Sequence, residues 1–401
     1  MNADHDGPDR THTPRLGARL RLLPLGLLTL AVAATAVVGV VNDSPVTLGV
    51  PASALPPTPE QKAAERAAKA KPKCMPKFST GITSEPWSGA ARQKSEQTFK
   101  ARIRQENPAY VNGKDGWKFF TDYQSDNFSQ ALGRVTQTSA QREAWAGWLA
   151  KQQKIVQQAG GRYFVVVAPA NWDVYPQKLP TWAQKLRGST SLQKLMAAHP
   201  ELPWIDPRSA LRQAAKKHDT YEPLDSHWTP YGGYVAWQAI TKCLRAVDKT
   251  LKPMDAPAID GVGVVPNSNE FAADGVPSGK PRRTVPEFSA PHPASDTMHL
   301  PDGAPIAIGP EFVTDTIQAP LTTSTAQAQV PGAKLLTLRD STGNALSPLW
   351  SWSFGSTVQY GHGIGQLGLK PPDLKALMSA QHPQVVLFMI TERFLAEPAP
   401  R

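Results

Sequence analysis

The chain has 401 residues, of which 40% are hydrophobic and 19% are charged, so it can fold as one large domain or as two ordinary ones. This composition excludes a chain that is disordered throughout, although 39 prolines indicate that some stretches lie outside the core. The formal net charge is +10, but no basic stripe alternates with aromatic residues, and we therefore expect no nucleic-acid partner.

The N-terminus predicts export. Residues 1–21 are polar and contain four arginines, whereas residues 22–41 form an uncharged, mostly apolar run. A run of about 20 such residues matches the thickness of a bilayer. The preceding arginines predict a cytoplasmic segment at 1–21, a single transmembrane anchor at 22–41, and a remainder that is periplasmic or extracellular. A cleaved signal peptide is the alternative, since Ala31 and Ala33 suit a cleavage site, and it too exports the domain.

Residues 42–77 are rich in proline, alanine and lysine and predict a linker, so we expect the folded domain over residues 78–397. Two cysteines, Cys74 and Cys243, lack the CxxC spacing of zinc and redox sites. In an oxidising compartment they can form a disulfide, and two unpaired thiols are the alternative. The histidines show no ligand spacing, so we predict no metal and no cofactor.

The predicted elements, taken in chain order, alternate between strands and helices. Asn112 to Phe120 is predicted to be a turn that enters a strand, because Asn-Gly and Asp-Gly supply the positive φ of tight turns. Apolar residues at helical spacing predict a helix over 138–158, and a continuous β-branched run over 163–168 predicts a buried parallel strand. Further helices are expected at 189–199, 207–217 and 232–247, and further strands at 204–206, 334–338 and 385–390.

Residues 248–333 are rich in proline, glycine and alanine, and they predict a loop-rich insertion with a few short strands, such as Ile306 to Val313. The alternation of apolar strands with helices predicts a three-layer α/β domain with a mostly parallel central sheet. Such sheets bind ligands at the carboxyl ends of their strands. The residues that follow positions 168 and 338 are therefore candidates for a site.

The stretch Asp225-Ser226-His227-Trp228 places a carboxylate two residues before an imidazole. In an extended segment positions i and i+2 point to the same side, so both side chains can face one cleft. The carboxylate can then orient one ring nitrogen while the other faces a hydroxyl nucleophile. A hydrogen-bonded pair on the surface is the alternative interpretation.

Ser341 is the candidate nucleophile. It follows the predicted strand 334–338 as Arg339-Asp340-Ser341, with Gly343 and Asn344 next in the chain. A serine in this position lies where α/β sheets bind ligands, and backbone N–H groups there can stabilise an oxyanion. A plain turn or helix cap is the alternative interpretation of an Asp-Ser pair.

Three blocks, in this order, resemble the AlgJ/AlgX family of polysaccharide O-acetyltransferases. They are Asn112-Gly113-Lys114-Asp115-Gly116-Trp117, then Asp225-Ser226-His227-Trp228 with its glycine-containing helix, then the strand that leads to Asp340-Ser341. The resemblance implies an SGNH-hydrolase-like domain. It also implies that Asp225 orients His227, that His227 is the general base, and that Ser341 is the nucleophile.

Further positions gain an expected role from the same resemblance. Asn171 matches a Pro-Asn segment of the family and is expected to line the pocket. Glu392 and Arg393 match a Glu-Arg pair, for which substrate contact and an internal salt bridge both remain open. Trp228 and Trp350 are candidates for stacking on sugar rings, with core packing as the alternative.

One position departs from the family pattern, because Arg339 stands where glycine is usual, and this brings the oxyanion geometry into question. The resemblance implies an O-acetyltransferase that modifies a cell-surface or secreted polysaccharide, with a membrane-bound O-acyltransferase as the partner that supplies the acetyl group. A carbohydrate acetylesterase is an alternative, because the same triad serves both reactions and access of water distinguishes them. A non-catalytic polysaccharide-binding or assembly protein is a further alternative, and Arg339 is its main support.

Overall fold

The computed structural model describes residues 74–75, 78–252, 254–266, 269–277, 282–290, 298–306, 320–365 and 369–400, which lie in one unit, Ala67–Arg401. The predicted cytoplasmic segment, the transmembrane anchor and nearly all of the linker lie outside these residues. Across the described ranges, no helix is both long enough and apolar enough to span a bilayer.

A seven-stranded mixed sheet forms the centre of the fold, in the order β4-β3-β11-β9-β10-β8-β7. The first five strands of this order run parallel, and β8 and β7 are added antiparallel at one edge. Two antiparallel hairpins, β1–β2 and β5–β6, lie outside this sheet. The strands are β1 Tyr110–Asn112, β2 Lys118–Phe120, β3 Arg162–Ala168, β4 Trp204–Ile205, β5 Ile259–Pro266, β6 Arg282–Phe288, β7 Met298–His299, β8 Leu321–Ser324, β9 Val330–Arg339, β10 Phe354–Gly361 and β11 Val385–Thr391.

Helices cover both faces of the sheet. Because side chains alternate along a strand, Val165 and Val167 of β3 pack on one face, whereas Phe164 and Val166 pack on the other. The face with Val165 and Val167 is covered by the helices Ser139–Gln158 (α3), Ser191–Ala198 (α6) and Leu374–Gln381 (α10). The face with Phe164 and Val166 is covered by Arg208–Ala214 (α7) and Pro230–Val247 (α8). The predicted three-layer α/β arrangement is thereby observed. The helices are α1 Ala91–Ile103, α2 Asn127–Ala131, α3 Ser139–Gln158, α4 Asn171–Val174, α5 Thr181–Gln184, α6 Ser191–Ala198, α7 Arg208–Ala214, α8 Pro230–Val247, α9 Trp350–Ser353 and α10 Leu374–Gln381.

The predicted insertion contributes more to the sheet than its composition indicates. Its strands β7 and β8 extend the central sheet, and β5 and β6 form the second hairpin. β8 has only four residues, Leu-Thr-Thr-Ser, and β7 at the edge has two, so neither gives an apolar run for a sequence pattern to detect. Of the predicted strand from Ile306 to Val313, residues 307–313 lie outside the described part.

A disulfide joins Cys74 to Cys243, with the two Cα atoms 5.1 Å apart. It fastens the end of the predicted linker to the C-terminal part of α8, so the two cysteines are paired and the alternative of two free thiols is not observed. The two cysteines are 169 residues apart in the chain. In the chain-entropy account, closing so long a loop stabilises the folded state by about 5 kcal/mol.

The first hairpin carries the Asn-Gly-Lys-Asp-Gly-Trp block and packs beside the D-x-H-W segment. Asp115 and Gly116 have φ values of 53° and 81°, which confirms the predicted turn at Asp-Gly. The positive φ expected at Asn-Gly is wrong, because Gly113 has a φ of −85°. The Lys118 N–H donates to the carbonyl of Pro223, at 2.8 Å, just before Asp225. The hairpin therefore holds the segment that leads into the candidate site.

Candidate active site

Ser341 lies at the carboxyl end of β9, as the first residue of a 3-10 turn, Ser341–Ala345. The preceding Asp340 is fully buried and accepts the N–H of Thr342 at 3.0 Å and the N–H of Thr391 at 2.6 Å. Its carboxylate also lies 3.3 Å from Nε2 of His362, which follows β10. Burial opposes the charge on Asp340, but His362 and Thr391 outweigh it and hold its pKa well below the ordinary value. Asp340 thus ties together the ends of three neighbouring strands beneath Ser341.

Asp225 and His227 meet Ser341 in a continuous chain of hydrogen bonds. Nδ1 of His227 lies 2.7 Å from Oδ1 of Asp225, and Nε2 lies 2.8 Å from Oγ of Ser341. The same Asp225 oxygen accepts the backbone N–H of His227 at 2.9 Å, which fixes the carboxylate. The chain bends at Ser226 and His227, and the Asp225 side chain closes this bend by accepting the His227 N–H. The expected extended segment is therefore replaced by an Asx turn, and Thr229 then caps α8, which begins at Pro230. This is the geometry that a serine nucleophile and its base require.

The position of Trp228 contradicts the expectation that this side chain stacks on a sugar ring. Its side chain is 2% exposed, and its indole N–H donates to the carbonyl of Thr342 at 2.7 Å. Trp228 therefore anchors the turn that carries Ser341, and it presents no face to a sugar. The prediction that Trp350 binds substrate is wrong for the same reason, since Trp350 is 0% exposed in the core below this turn. Core packing, the alternative for both, is what the structure has.

Asn171 and Arg393 approach the Asp225–His227 segment from two other strand ends. Asn171 is the first residue after the loop that follows β3, and its Nδ2 lies 3.5 Å from the carbonyl of Asp225. Arg393 follows β11 and donates from its guanidinium to Oγ of Ser226 at 3.0 Å. The topology therefore brings both predicted substrate-binding residues to the edge of the sheet that holds the triad residues.

Glu392, by contrast, turns inward and makes no ion pair with Arg393 among the described residues. It is fully buried and accepts the N–H of Ala170 at 3.2 Å and the hydroxyl of Thr190 at 3.0 Å. Burial raises its pKa to about 8. The internal Glu-Arg pair is thus a wrong expectation, because consecutive residues of this turn point to opposite sides.

Glu270 is a neighbour of the site that sequence reasoning missed. Its Oε1 lies 3.4 Å from Nδ1 of His227, and its Oε2 accepts the backbone N–H of Ser226 at 2.5 Å. The next residue, Phe271, is buried against Phe120 of the first hairpin, with ring centroids 4.8 Å apart. A glutamate in a loop without periodicity carries no local sign of such a role, and only this packing places it.

The two carboxylates dominate the electrostatics of His227. Burial opposes its charged form, but the hydrogen bonds and charges of Asp225 and Glu270 outweigh burial and raise the pKa of His227 to about 10. Burial likewise opposes the charge on Glu270, and His227 and Arg393 hold the pKa of Glu270 well below its ordinary value. The two carboxylates therefore strongly favour the charged form of His227.

Two further charged groups stand behind Asp225. Nη2 of Arg283, on β6, lies 3.9 Å from Oδ2 of Asp225, and its Nε donates to Glu222 at 2.8 Å. Burial raises the pKa of Glu222 to about 8. Arg283 thus supports the Asp225 carboxylate from the second hairpin.

Donor atoms of Asp225, His227 and Glu270 all lie within 4.8 Å of one another, a spacing that a metal ion also accepts. Both nitrogens of His227 already face protein groups, Nδ1 the carboxylates and Nε2 the Ser341 hydroxyl. We assign the three side chains to a hydrogen-bonded network on this geometry, and the absence of a metal stays a prediction.

The Arg339 side chain packs beneath the turn Ser341–Ala345. It is 1% exposed and passes under Gly343, where an added Cβ would lie 2.4 Å from the Arg339 Cδ. Its guanidinium donates to Asn344 Oδ1 at 2.6 Å and to the carbonyl of Asp340 at 3.1 Å. Burial lowers its pKa to about 10. The side chain that departs from the family pattern therefore packs beneath the turn, and Ser341 still reaches His227.

Comparison with known proteins agrees with the resemblance drawn from the sequence. Residues 110–262 match the family model described as the SGNH hydrolase-like domain of the acetyltransferase AlgX. This range contains Asp225 and His227 and ends before Ser341. None of the curated proteins matches the chain.

Solved structures share the fold. Bacillus cereus PatB1, in a structure with a sulfonyl adduct, has a TM-score of 0.53 and 14% identity over 71% of this chain and 94% of PatB1. A DHHW family protein from Eubacterium siraeum has a TM-score of 0.50 and 17% identity over 72% of this chain and 95% of its own. At these identities the likeness shows the SGNH-like α/β fold alone.

Proposed function

We propose that this protein is an extracytoplasmic O-acetyltransferase that transfers acetyl groups to hydroxyls of a cell-surface or secreted polysaccharide. The observation that carries the proposal is the chain of hydrogen bonds from Asp225 through His227 to Ser341, at 2.7 and 2.8 Å. The match of residues 110–262 to the AlgX domain supports acetyl transfer as the reaction. Asn171 and Arg393 are the proposed substrate contacts at the rim.

In the first half-reaction Nε2 of His227 takes the proton of Ser341 as Oγ bonds to the acetyl carbon of the donor. The tetrahedral intermediate collapses with loss of the donor leaving group, which receives the proton from the imidazolium. An acetyl ester remains on Ser341. In the second half-reaction a sugar hydroxyl gives its proton to His227 and attacks this ester, and Ser341 recovers its proton.

The oxyanion needs donors that the turn leaves available. The N–H groups of Thr342 and Gly343 already bond to Asp340, at 3.0 and 3.1 Å. The N–H of Ser341 has no acceptor among the described residues, and the Asn171 amide lies at the same strand ends. We assign these two groups to the oxyanion.

The same proposal covers the setting of the reaction. Residues 22–41 anchor the chain in the cell membrane, and the domain faces the periplasm or the exterior. A membrane-bound O-acyltransferase supplies the acetyl group from the other side of the membrane. The Cys74–Cys243 disulfide suits an oxidising compartment and supports this placement.

The direct test uses the purified full-length chain with 4-nitrophenyl acetate as donor, with and without oligosaccharide acceptors. We expect mass spectrometry to find an acetyl group on the peptide that contains Ser341, and its transfer to the acceptor. Acetate released only to water would replace the transferase by an acetylesterase. Folded protein that gives neither adduct nor turnover would refute both and favour a binding role.

The pH profile tests the part that Glu270 plays. Since the neutral imidazole accepts the proton, kcat/KM should rise with pH as His227 loses its proton around its pKa of about 10. Glu270→Gln removes one carboxylate, lowers that pKa, and should move the rising limb to lower pH by about 1–2 units. The measurement is kcat/KM for the acetyl ester across the alkaline range. Glu287→Gln, an exposed glutamate on β6, is the control, and an unmoved limb in Glu270→Gln would contradict this role.

A further inference from the structure

Tyr123 is a large aromatic side chain that the fold leaves exposed. It is 57% exposed, whereas most aromatic residues of the described part are buried. It lies in the loop between β2 and α2, and its ring meets the edge of Phe120 with centroids 5.9 Å apart. One side of the ring is therefore supported by protein and the rest faces solvent.

The loop that presents Tyr123 is held in a strained form. Ser125 and Asp126 are consecutive non-glycine residues with φ values of 51° and 54°. Such conformations are unfavourable for residues other than glycine, and they persist where surrounding contacts enforce them. Here Gln130 enforces them, since its Nε2 donates to the carbonyl of Ser125 at 2.6 Å and to that of Arg393 at 2.8 Å. The loop is thus fastened to the strand end that bears Arg393.

Packed aromatic side chains connect Tyr123 to the loop that carries Glu270. The neighbouring Phe120 packs on Phe271, and the adjacent Glu270 reaches His227 at 3.4 Å. Partial burial raises the pKa of the Tyr123 hydroxyl and a hydrogen bond with Gln124 lowers it, while the Asp274 and Glu270 carboxylates raise it and Arg393 lowers it.

A groove of about 340 Å³ continues from this position. Its walls come from the end of α1 and the loop before β1, with Tyr123 at one border. Arg104, Glu106, Thr121 and Asp122 also line it. Because the groove borders Tyr123, an acceptor chain that stacks on the ring can extend into it.

We propose, on the basis of the proposed function, that Tyr123 is the platform on which an uncharged sugar ring of the acceptor polysaccharide stacks. Aromatic faces bury the apolar faces of sugar rings, and Trp228 and Trp350 are themselves buried and present none. An acidic sugar at this position would meet the carboxylates of Glu270 and Asp274 and, in the groove, those of Glu106 and Asp122, against the guanidinium groups of Arg393 and Arg104. The local charge therefore favours a neutral ring over a uronate.

Binding is measured first, in the full-length chain with the Ser341→Ala substitution, by calorimetric titration with cellohexaose and with hexagalacturonate. We expect cellohexaose to bind more tightly than hexagalacturonate. Tyr123→Ala should weaken cellohexaose binding about tenfold, and Tyr123→Phe, which keeps the ring, should weaken it about twofold at most. Val264→Ala removes another exposed apolar side chain, on β5, and is the control expected to bind as the parent does.

Steady-state kinetics then test whether Tyr123 contributes to acceptor binding during the reaction. In the otherwise native chain, Tyr123→Ala should raise the KM for cellohexaose about tenfold with little change in kcat. Unaltered cellohexaose binding by Tyr123→Ala would overturn the platform, and tighter binding of hexagalacturonate would overturn the assignment of a neutral ring. Failure of the proposed function is a separate result, because it appears as no acetyl group on Ser341 in the native chain, whereas the titration needs no turnover.

Discussion

Replacing Ser341 by alanine is expected to lower acetyl transfer by at least about 10³-fold, because no other group can form the acetyl ester that links the two half-reactions. The Ser341 side chain makes its described hydrogen bond to His227 alone, at 2.8 Å, and it is partly exposed. Its loss should therefore change the free energy of unfolding by about 1 kcal/mol or less. The measurement is kcat/KM with acetyl ester and acceptor, next to a thermal unfolding curve.

Ser324→Ala is the matched control for this substitution. Ser324 is an exposed serine at the end of β8 in the same sheet, and it takes no part in the chain of hydrogen bonds through His227. We expect it to retain full activity. If Ser341→Ala kept even a tenth of the native rate while folded, Ser341 would not be the nucleophile and the proposed acyl-enzyme would be ruled out.

Asp225→Asn is expected to lower kcat by about 10³-fold, and the tertiary structure explains why the loss is not larger. A lone carboxylate behind a catalytic histidine is worth about 10⁴ in comparable triads. Here Glu270 remains 3.4 Å from Nδ1 of His227 and can still stabilise part of the imidazolium charge. The amide that replaces the carboxylate in this variant keeps an acceptor oxygen for the His227 N–H but not the negative charge.

The double substitution Asp225→Asn with Glu270→Gln tests whether both carboxylates stabilise the charge on His227. Each carboxylate compensates in part for loss of the other, so, when kcat is compared above the rising limb of every variant's pH profile, the double variant should lose more activity than the product of the two single losses. Asp260→Asn, an exposed aspartate on β5, is the control for amide substitution itself. Purely multiplicative losses would show that Glu270 acts independently of Asp225.

The disposition of the aromatic residues shows where sequence patterns stop being informative. Trp228 and Trp350 neighbour His227 and Ser341 in the chain, and that proximity made them candidates for sugar stacking. In the fold both are buried at 2% exposure or less, and Tyr123, far from both His227 and Ser341 in the chain, takes the exposed position. Exposure depends on which elements cover a side chain, and a local pattern does not contain that information.

Neighbouring residues are sufficient to specify the local features of this protein. The continuous β-branched run of β3 and the helical spacing in α3 depend on short stretches only, and both elements form where predicted. The pairing of Asp225 with His227 is equally local, because the Asp225 carboxylate closes a turn onto the backbone N–H and the ring of the residue two positions on.

Which distant residues join that pair depends instead on the tertiary structure. Ser341 is 114 positions after His227, and Glu270 comes from a loop of the insertion that Phe271 packs onto the first hairpin. The order of the parallel strands brings the ends of β9, β11 and β3 to one edge, and with them Ser341, Arg393 and Asn171. Contacts of this kind arise from packing across the whole domain, so no stretch of sequence encodes them separately.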